Sequence, residues 1–476
     1  MTTVLAVDQG TSGTKAVVVD GEGRLLSIAE QEIHPRYLPG GGVEQDPDEL
    51  LRSVLTTARA AKDEAGVPID VLTLANQGET VLAWDPDTAR PVSQAIVWQD
   101  RRAEGLCQDR AAEAEKVADR TGLVLDPYFS GPKMTWLREN VTSEGVVTTS
   151  DVWLVHHLTG EIVTDASTAS RSLLVDLDTG QWSPDLLGLF RLGEEPLPRI
   201  VACDEIVGET RVFGEPIPVG GLIVDQQAAL FAENCLAPGD AKCTFGTGAF
   251  LLANTGTRPR RSDAGLAACV AWTVRGETSY CLDGQVYTAA SAVRWLRDLG
   301  LIASAAELDG VAAADTDGVL CVPALAGLAA PWWRPDARAT LTGMTLSTGR
   351  GHIVRAVLEG IACQVAELAD ATARDLGAGL TTLRVDGGLT RSTVLMQAVA
   401  DLTGLPVEVY PSQHATPLGA VATARLAADP SLSPADAVVS WSPDTTFEPQ
   451  WSAERAGEFR ARWRAAAETT LQMEHA

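Results

Sequence analysis

The chain builds a strand–turn–strand unit twice, and this repetition constrains the fold more than any other feature. Near the start, the apolar run Val4–Asp8 meets Gln9-Gly10-Thr11-Ser12-Gly13 and returns as a second strand, Thr14–Asp20. In the middle, Ala241–Thr244 meets Phe245-Gly246-Thr247-Gly248 and returns as Ala249–Asn254. Turns made of Gly and hydroxyl residues present backbone amides and hydroxyls, the donors that an anion needs. After each hairpin the pattern alternates helices and strands. The expected architecture is therefore α/β, with two similar domains around a cleft.

Local signals place the remaining elements. Asp20-Gly21-Glu22-Gly23 turns the chain into a third strand, roughly Arg24–Ile33. Asp46 is a candidate N-cap for a helix with Pro47 at its first position, Glu49 where a capping box wants it, and an end near Gly66. A buried strand, Val71–Ala75, follows. The second half predicts strands near Leu266–Val274 and Ser279–Leu282 and a long helix, Ile353–Leu376. The strand Leu383–Val385 then runs into Asp386-Gly387-Gly388, with a helix from about Thr390. At 476 residues the chain exceeds one ordinary core. Pro238-Gly239 breaks the pattern between Asn234 and Gly239, which divides the chain into 1–235 and 236–476.

Composition excludes several classes. An apolar fraction of 45% with 21% charged residues is that of a globular protein. A formal net charge of −26 repels nucleic acid and anionic membranes. It also repels any polyanionic ligand at long range, so an anion site must be built locally from amides, a cation and a few basic groups. The longest apolar stretch, Val319–Trp333, is interrupted by Pro323, Gly327 and Pro331, so no membrane span is expected. No basic segment followed by a long apolar run precedes Val4, and a cytoplasmic location is expected. The eight cysteines form no CxxC pair and read as buried thiols. His156 and His157 are adjacent, would diverge on a helix, and read as packing residues.

Three segments carry chemistry. The first strand delivers Asp8 to its end. Beyond it, Gly10, Thr11, Ser12, Thr14 and Lys15 supply amides, hydroxyls and a charge suited to phosphate, and Asp8 is suited to magnesium. It is not a Walker A loop, because no Gly-Lys pair occurs anywhere in the chain. Gly246 and Thr247 form a second phosphate-type hairpin. Gly387 and Gly388 end a strand so that a flat group, an adenine or a ribose, could lie on the backbone. Each segment alone could be an ordinary polar turn; together they fit an actin-like (ribonuclease H-like) fold.

Two longer segments extend this. Tyr128-Phe129-Ser130-Gly131-Pro132-Lys133-Met134-Thr135-Trp136-Leu137-Arg138-Glu139-Asn140 resembles the first signature of the FGGY carbohydrate kinases. Ala339 through Met344, with His352 through Glu359 after it, resembles the second. The resemblance spans about Val4 to Arg425. Asn76-Gln77 with Glu79-Thr80, Ile96–Gln99 and Asp225–Phe231 are most similar to the glycerol kinase branch of that family.

The resemblance implies an ATP-dependent kinase acting on a hydroxyl of a small polyol, glycerol or a C4–C5 polyol. ATP and Mg2+ are the implied cofactors, and a homodimer is compatible with it. The implied polyol site is Gln77, Gly78, Glu79, Trp98, Tyr128, Asp225 and Gln226, in 1–235. Asp225 is the implied catalytic base and, with Asp8, a metal ligand. ATP falls to 236–476, where Arg294 and Ser392 stand in place of the family's usual Gln and Asn. Lys15 replaces the usual Arg of the first loop. Gly78 also departs from the pattern, which has Arg there. The missing side chain is expected to leave a gap beside Glu79, open to water or to a polyol longer than glycerol. A pentulose kinase of the xylulokinase type is the alternative within the family. A non-catalytic actin-like protein is the alternative outside it; that reading needs no polyol residues, yet Glu79, Trp98, Tyr128, Asp225 and Gln226 occur together.

Overall fold

A computed structural model describes residues 2–472. Each half contains a seven-stranded sheet. In the first, β1 (Val4–Gln9) pairs antiparallel with β2 (Gly13–Val19), which pairs with β3 (Leu25–Glu32). On its other side β1 runs parallel to Val71–Asn76, and that strand is parallel to Ile223–Val224. In the second half, Ala241–Phe245 pairs antiparallel with Ala249–Gly256 and parallel with Leu383–Asp386. The two halves therefore repeat the same core arrangement, an antiparallel hairpin with a parallel neighbour.

The first strand shows why the apolar run is continuous rather than alternating. Val4 and Ala6 pack on one face with Val71 and the helix Ala415–Ala428, whereas Leu5 and Val7 pack on the other with Leu50 and Val54 of α1 (Pro47–Ala65). A strand covered on both sides needs apolar residues at every position. The helix start is as expected: the Asp46 carboxylate accepts from the amides of Asp48 and Glu49, and Gly66 closes the helix at φ 63°. A left-handed C-cap there has no Cβ penalty.

Two expectations shift. The late helix begins not near Thr390 but at Thr393, after a single turn over Gly388–Arg391, because the Ser392 hydroxyl caps it by accepting from the Leu395 amide. The helix Ala415–Ala428, beyond the break at Asn234–Gly239, packs on the sheet of the first half. There Thr423 Oγ1 donates to the Gly221 carbonyl at 2.7 Å, and Arg425 Nη2 to the Asp20 carbonyl at 2.7 Å. All eight cysteines are buried and free. Trp84 and Trp153 pack against His156 and His157. Among the described residues no helix is long and apolar enough to cross a membrane.

Candidate active site

Three parallel strands of the first sheet end together. Asp8 near the end of β1 is level with Ala75, and Val224 is level with Asn76. The residues that follow, Gly78-Glu79 and Asp225, thus meet at one edge, where open α/β sheets place their ligands. Asp225 opens a helix, Asp225–Ala232, and its Oδ1 accepts from the Gln226 amide at 2.7 Å.

This edge faces the second hairpin across a cavity of about 530 Å³. Thr11, Ser12, Glu79, Trp98, Tyr128, Asp225 and Gln226 line it from the first half. Thr244, Gly246, Thr247, Phe250 and Arg294 line it from the second. Trp98 is fixed by its indole N–H, which donates to Thr11 Oγ1 at 2.8 Å, and by edge contacts with Tyr128 and Phe250 at 5.6 and 6.1 Å between ring centroids. The buried Lys133 ammonium donates to the carbonyls of Pro127, Tyr128 and Phe129 and so holds the Tyr128 loop in place. Lys242 reaches across from the second half to donate to Gln226 Oε1 at 2.6 Å and to Thr244 Oγ1 at 2.7 Å. A larger cavity of about 1110 Å³, lined by Arg355, Trp451 and Arg455, shares no residue with these loops.

Several residues expected to touch ligand do not line this cavity. Thr14 is turned away: its hydroxyl hydrogen-bonds to Ser53 of α1 at 2.6 Å. Successive strand residues face opposite sides, so Thr14 and Lys15 could not both face phosphate. Lys15 pairs with Glu30 at 3.2 Å and sits opposite Asp8. Gln77 is buried; its Nε2 donates to Gln45 Oε1 at 2.8 Å, and Gln45 Nε2 donates to the Thr11 carbonyl at 2.7 Å, so it props the hairpin from beneath. Gly10 turns the hairpin, its amide donating to the Gly13 carbonyl at 3.0 Å. Gly388 and Ser392 line a separate cavity of about 170 Å³ with Asp309, whose Oδ1 accepts from the Ser392 hydroxyl at 2.5 Å. Gly387 lies at φ 96°, where a Cβ would stand 2.5 Å from the Phe245 carbonyl oxygen. The strand end and the second hairpin are in direct contact there.

Beside Glu79, Gly78 lines the cavity, with Val224 and Arg171 against one side of it. A Cβ on residue 78 would lie 3.0 Å from Val224 Cγ2 and 3.7 Å from Arg171 Nε. Arg171 is buried, and it pairs with Glu79 and with Asp283. Glu79 itself has φ 57°, an uncommon conformation for a residue with a side chain. Sequence reading missed Arg171, Asp283, Lys242 and Phe250. A signal existed for the first: Arg171 is the one charged residue within Ala166–Val175. An arginine set in a run of small and apolar residues calls for a buried acid partner.

Burial pushes the Asp8 carboxyl up to about 7, helped by the negative charge of Asp225 and opposed by Lys15. Burial also raises Asp225, against the Gln226 amide and the Lys242 charge. Two carboxyls that burial holds back from ionising, one of them also opposed by the other's charge, fit a divalent cation. Among the described residues no group of three or more His, Cys, Asp and Glu is placed to hold a metal. The fit is thus to an oxygen-preferring ion held by one or two carboxylates, with phosphate and water completing its shell.

Paired hairpins facing a carboxylate at a strand end, next to a wall of Glu, Tyr, Trp and Gln, define a two-domain phosphotransferase acting on a hydroxyl compound. The chain belongs to the FGGY family of carbohydrate kinases: the model of the family's N-terminal domain matches residues 3–232, and that of its C-terminal domain matches 241–428. It is a kinase, with ATP as phosphoryl donor. A glycerol kinase of Alkalilimnicola ehrlichii is 44% identical over 98% of this chain and 98% of the relative. One from Deinococcus radiodurans is 40% identical over 97% and 96%. The crystal structure of Plasmodium falciparum glycerol kinase with ADP superposes with a TM-score of 0.91 at 33% identity, covering 100% of this chain and 99% of that one. A xylulose kinase from Lactobacillus acidophilus has a TM-score of 0.87 at 20% identity, covering 98% of each chain, a likeness of fold alone.

Proposed function

We propose that this kinase transfers the terminal phosphoryl group of ATP to a terminal hydroxyl of glycerol. The observation that carries this reading is the wall of Glu79, Trp98, Tyr128 and Gln226 beside Asp225, in a chain 40–44% identical to glycerol kinases over nearly its full length. Glu79, Tyr128 and Gln226 are placed to pair with hydroxyls, and Trp98 and Phe250 to cover the carbon skeleton. Thr11, Ser12, Gly246, Thr247 and Arg294 face the phosphates. Gly388 and Ser392 border the adenosine end. The first half, 1–235, thus carries the polyol and the second, 236–476, the nucleotide.

The substrate hydroxyl attacks the terminal phosphorus of ATP. As that O–P bond forms, the bond from phosphorus to the bridging oxygen of ADP breaks, and the hydroxyl proton passes to the Asp225 carboxylate. An ordinary Asp, with a pKa of about 3.9, is far too weak to strip an alcohol in the ground state. Phosphoryl transfer is loose, so the proton leaves late and positioning supplies most of the effect. A carboxyl raised by burial is a better acceptor than a solvated one. Asp8 and Asp225 would hold magnesium, which when bound neutralises phosphate charge. Closure of the two halves excludes water from the phosphoryl group. Buried, free thiols suit work in the cytoplasm.

The test is ADP release measured across C3 to C5 polyols and ketoses. Glycerol is expected to give the highest kcat/KM. A tetritol, a pentitol or a ketopentose giving a higher value overturns the choice of substrate.

A further inference from the structure

The most heavily engaged side chain near the cavity is one that does not line it. Arg171 follows a short helix, Ala166–Ser170, in the first half. Its guanidinium is buried and spans two domains. Nε donates to Glu79 Oε1, Nη2 donates to the Tyr128 hydroxyl at 3.4 Å, and Nη1 donates to Asp283 Oδ2 at 2.7 Å. Asp283 belongs to the strand Glu277–Val286 of the second half and is itself fully buried. Glu79 and Tyr128 line the cavity; Arg171 and Asp283 do not.

The surroundings leave the guanidinium little freedom. Its carbon lies 5.8 Å from the centroid of the Tyr128 ring, and Cys269 Sγ is 3.5 Å from Nη1. The neighbouring strand, Ala267–Val274, is laced to the first half: the Val270 amide donates to Ser170 Oγ at 3.0 Å, and the Ala268 amide to the Gly122 carbonyl at 2.8 Å. A buried ion triad is weak evidence for stability, because desolvation offsets most of the attraction. What a planar fork held by two carboxylates does supply is direction.

We propose that Arg171 is the positioning residue of the polyol site, anchored on Asp283 of one half so that it aims Glu79 and Tyr128 of the other at the substrate hydroxyls. Polyol affinity then depends on the register of the two halves, through a residue that touches no substrate. This deepens the proposed function and rests on it. The charged and titratable groups facing Glu79 are Arg171, Lys133, Asp225 and Tyr128, and those facing Arg171 are Glu79, Asp283, Tyr128 and Cys269. Burial raises Glu79 to about 7 while Arg171 and Lys133 hold it down. Removing the guanidinium therefore moves the Glu79 titration to higher pH.

The experiment uses the full chain and the best substrate from the C3–C5 panel, with Arg171→Gln, Arg171→Lys and Asp283→Asn. A charge-assisted hydrogen bond lost from a buried site costs enough to change binding by about 10- to 100-fold. Arg171→Gln and Asp283→Asn are expected to raise polyol KM by that factor and ATP KM by less than about 3-fold. In Arg171→Gln the acid limb of polyol kcat/KM moves to higher pH. Arg171→Lys, which keeps the charge but not the fork, returns the limb towards its wild-type position while KM stays high. Polyol KM and pH limb unchanged in folded Arg171→Gln and Asp283→Asn overturn the proposal, as do equal losses for ATP and polyol. Loss of folded protein in all three variants, read by circular dichroism, also overturns it, because the triad would then serve the fold. A wild-type enzyme that prefers a substrate other than glycerol fails the functional reading and leaves the three variants to be read with that substrate.

Discussion

Gly78→Ala is the smallest change that tests how the polyol end is packed. The new methyl would stand 3.0 Å from Val224 Cγ2, closer than ordinary contact between carbons. Neither partner can move freely. Val224 is buried, and its amide donates to Ser167 Oγ at 3.1 Å. Gly78 is held by its carbonyl, which accepts from the Thr80 amide at 2.7 Å. Overpacking of this kind costs about 1–3 kcal/mol. Val224→Ala alone costs about 1–3 kcal/mol by leaving a void. In the double variant the added methyl enters the space that the valine vacated, so the two costs do not add. A coupling of about 1–2 kcal/mol in the stabilising direction is expected, well above the ~0.5 kcal/mol scatter of independent sites. Urea unfolding of the four proteins measures it, with glycerol KM as a parallel readout. Because Glu79 follows directly in a left-handed conformation, Gly78→Ala is also expected to raise glycerol KM and the double variant to restore it in part. Additive costs within that scatter would refute the idea that Val224 stands against the place a Cβ at position 78 would take.

Asp225→Asn removes the proton acceptor and keeps the shape; kcat is expected to fall by about 10²–10⁴-fold, and near-normal turnover in a single-turnover assay would exclude Asp225 as the base. At saturating ATP and magnesium, kcat/KM for glycerol should decline as pH falls below about 7, because the raised Glu79 carboxyl then takes up a proton and can no longer accept from a substrate hydroxyl. The sign follows from an acid whose folded pKa lies above its ordinary value, so the active, ionised form is the one lost on acidification; Glu79→Gln should flatten that limb. Gly387→Ala places a Cβ 2.5 Å from the Phe245 carbonyl oxygen at φ 96°, so ATP KM should rise by more than glycerol KM, and an unchanged ATP KM would detach this strand end from the nucleotide.

What the sequence revealed and what it hid divide along one physical line. The hairpins, the Asp46 cap and the Gly66 stop are local: a few neighbouring residues fix the backbone, and their spacing announces it. Asp225 was legible because an apolar run before it marks a strand end. The contact of Val224 with position 78 was not legible. Val224 and Gly78 meet only because two parallel strands end level, and their size complementarity leaves no periodic trace in either segment. The same holds for Arg171, which finds Glu79 ninety-two positions away and Asp283 one hundred and twelve away. Thr14 failed for a different reason: its hydroxyl has the right chemistry for phosphate, but strand alternation turns it towards α1. Residue type proposes a ligand, whereas only the face of the element decides whether it can reach one.

That division bears on how a missing side chain should be read. Gly78 removes a guanidinium from the expected pattern, and by itself the change implies an open, more permissive pocket. In the folded chain, Val224 stands against the place a Cβ would take, and the Arg171 guanidinium pairs with Glu79. The neighbours of the position are therefore an apolar side chain from the adjacent strand and a charge from the loop after a short helix. Close-packed interiors do not leave a methylene-sized gap unfilled without cost, so a deletion at one position predicts compensation by its spatial neighbours before it predicts a new substrate. Gly78 and Glu79 line the cavity, while Val224 and the Arg171 pairing with Glu79 and Asp283 stand behind them.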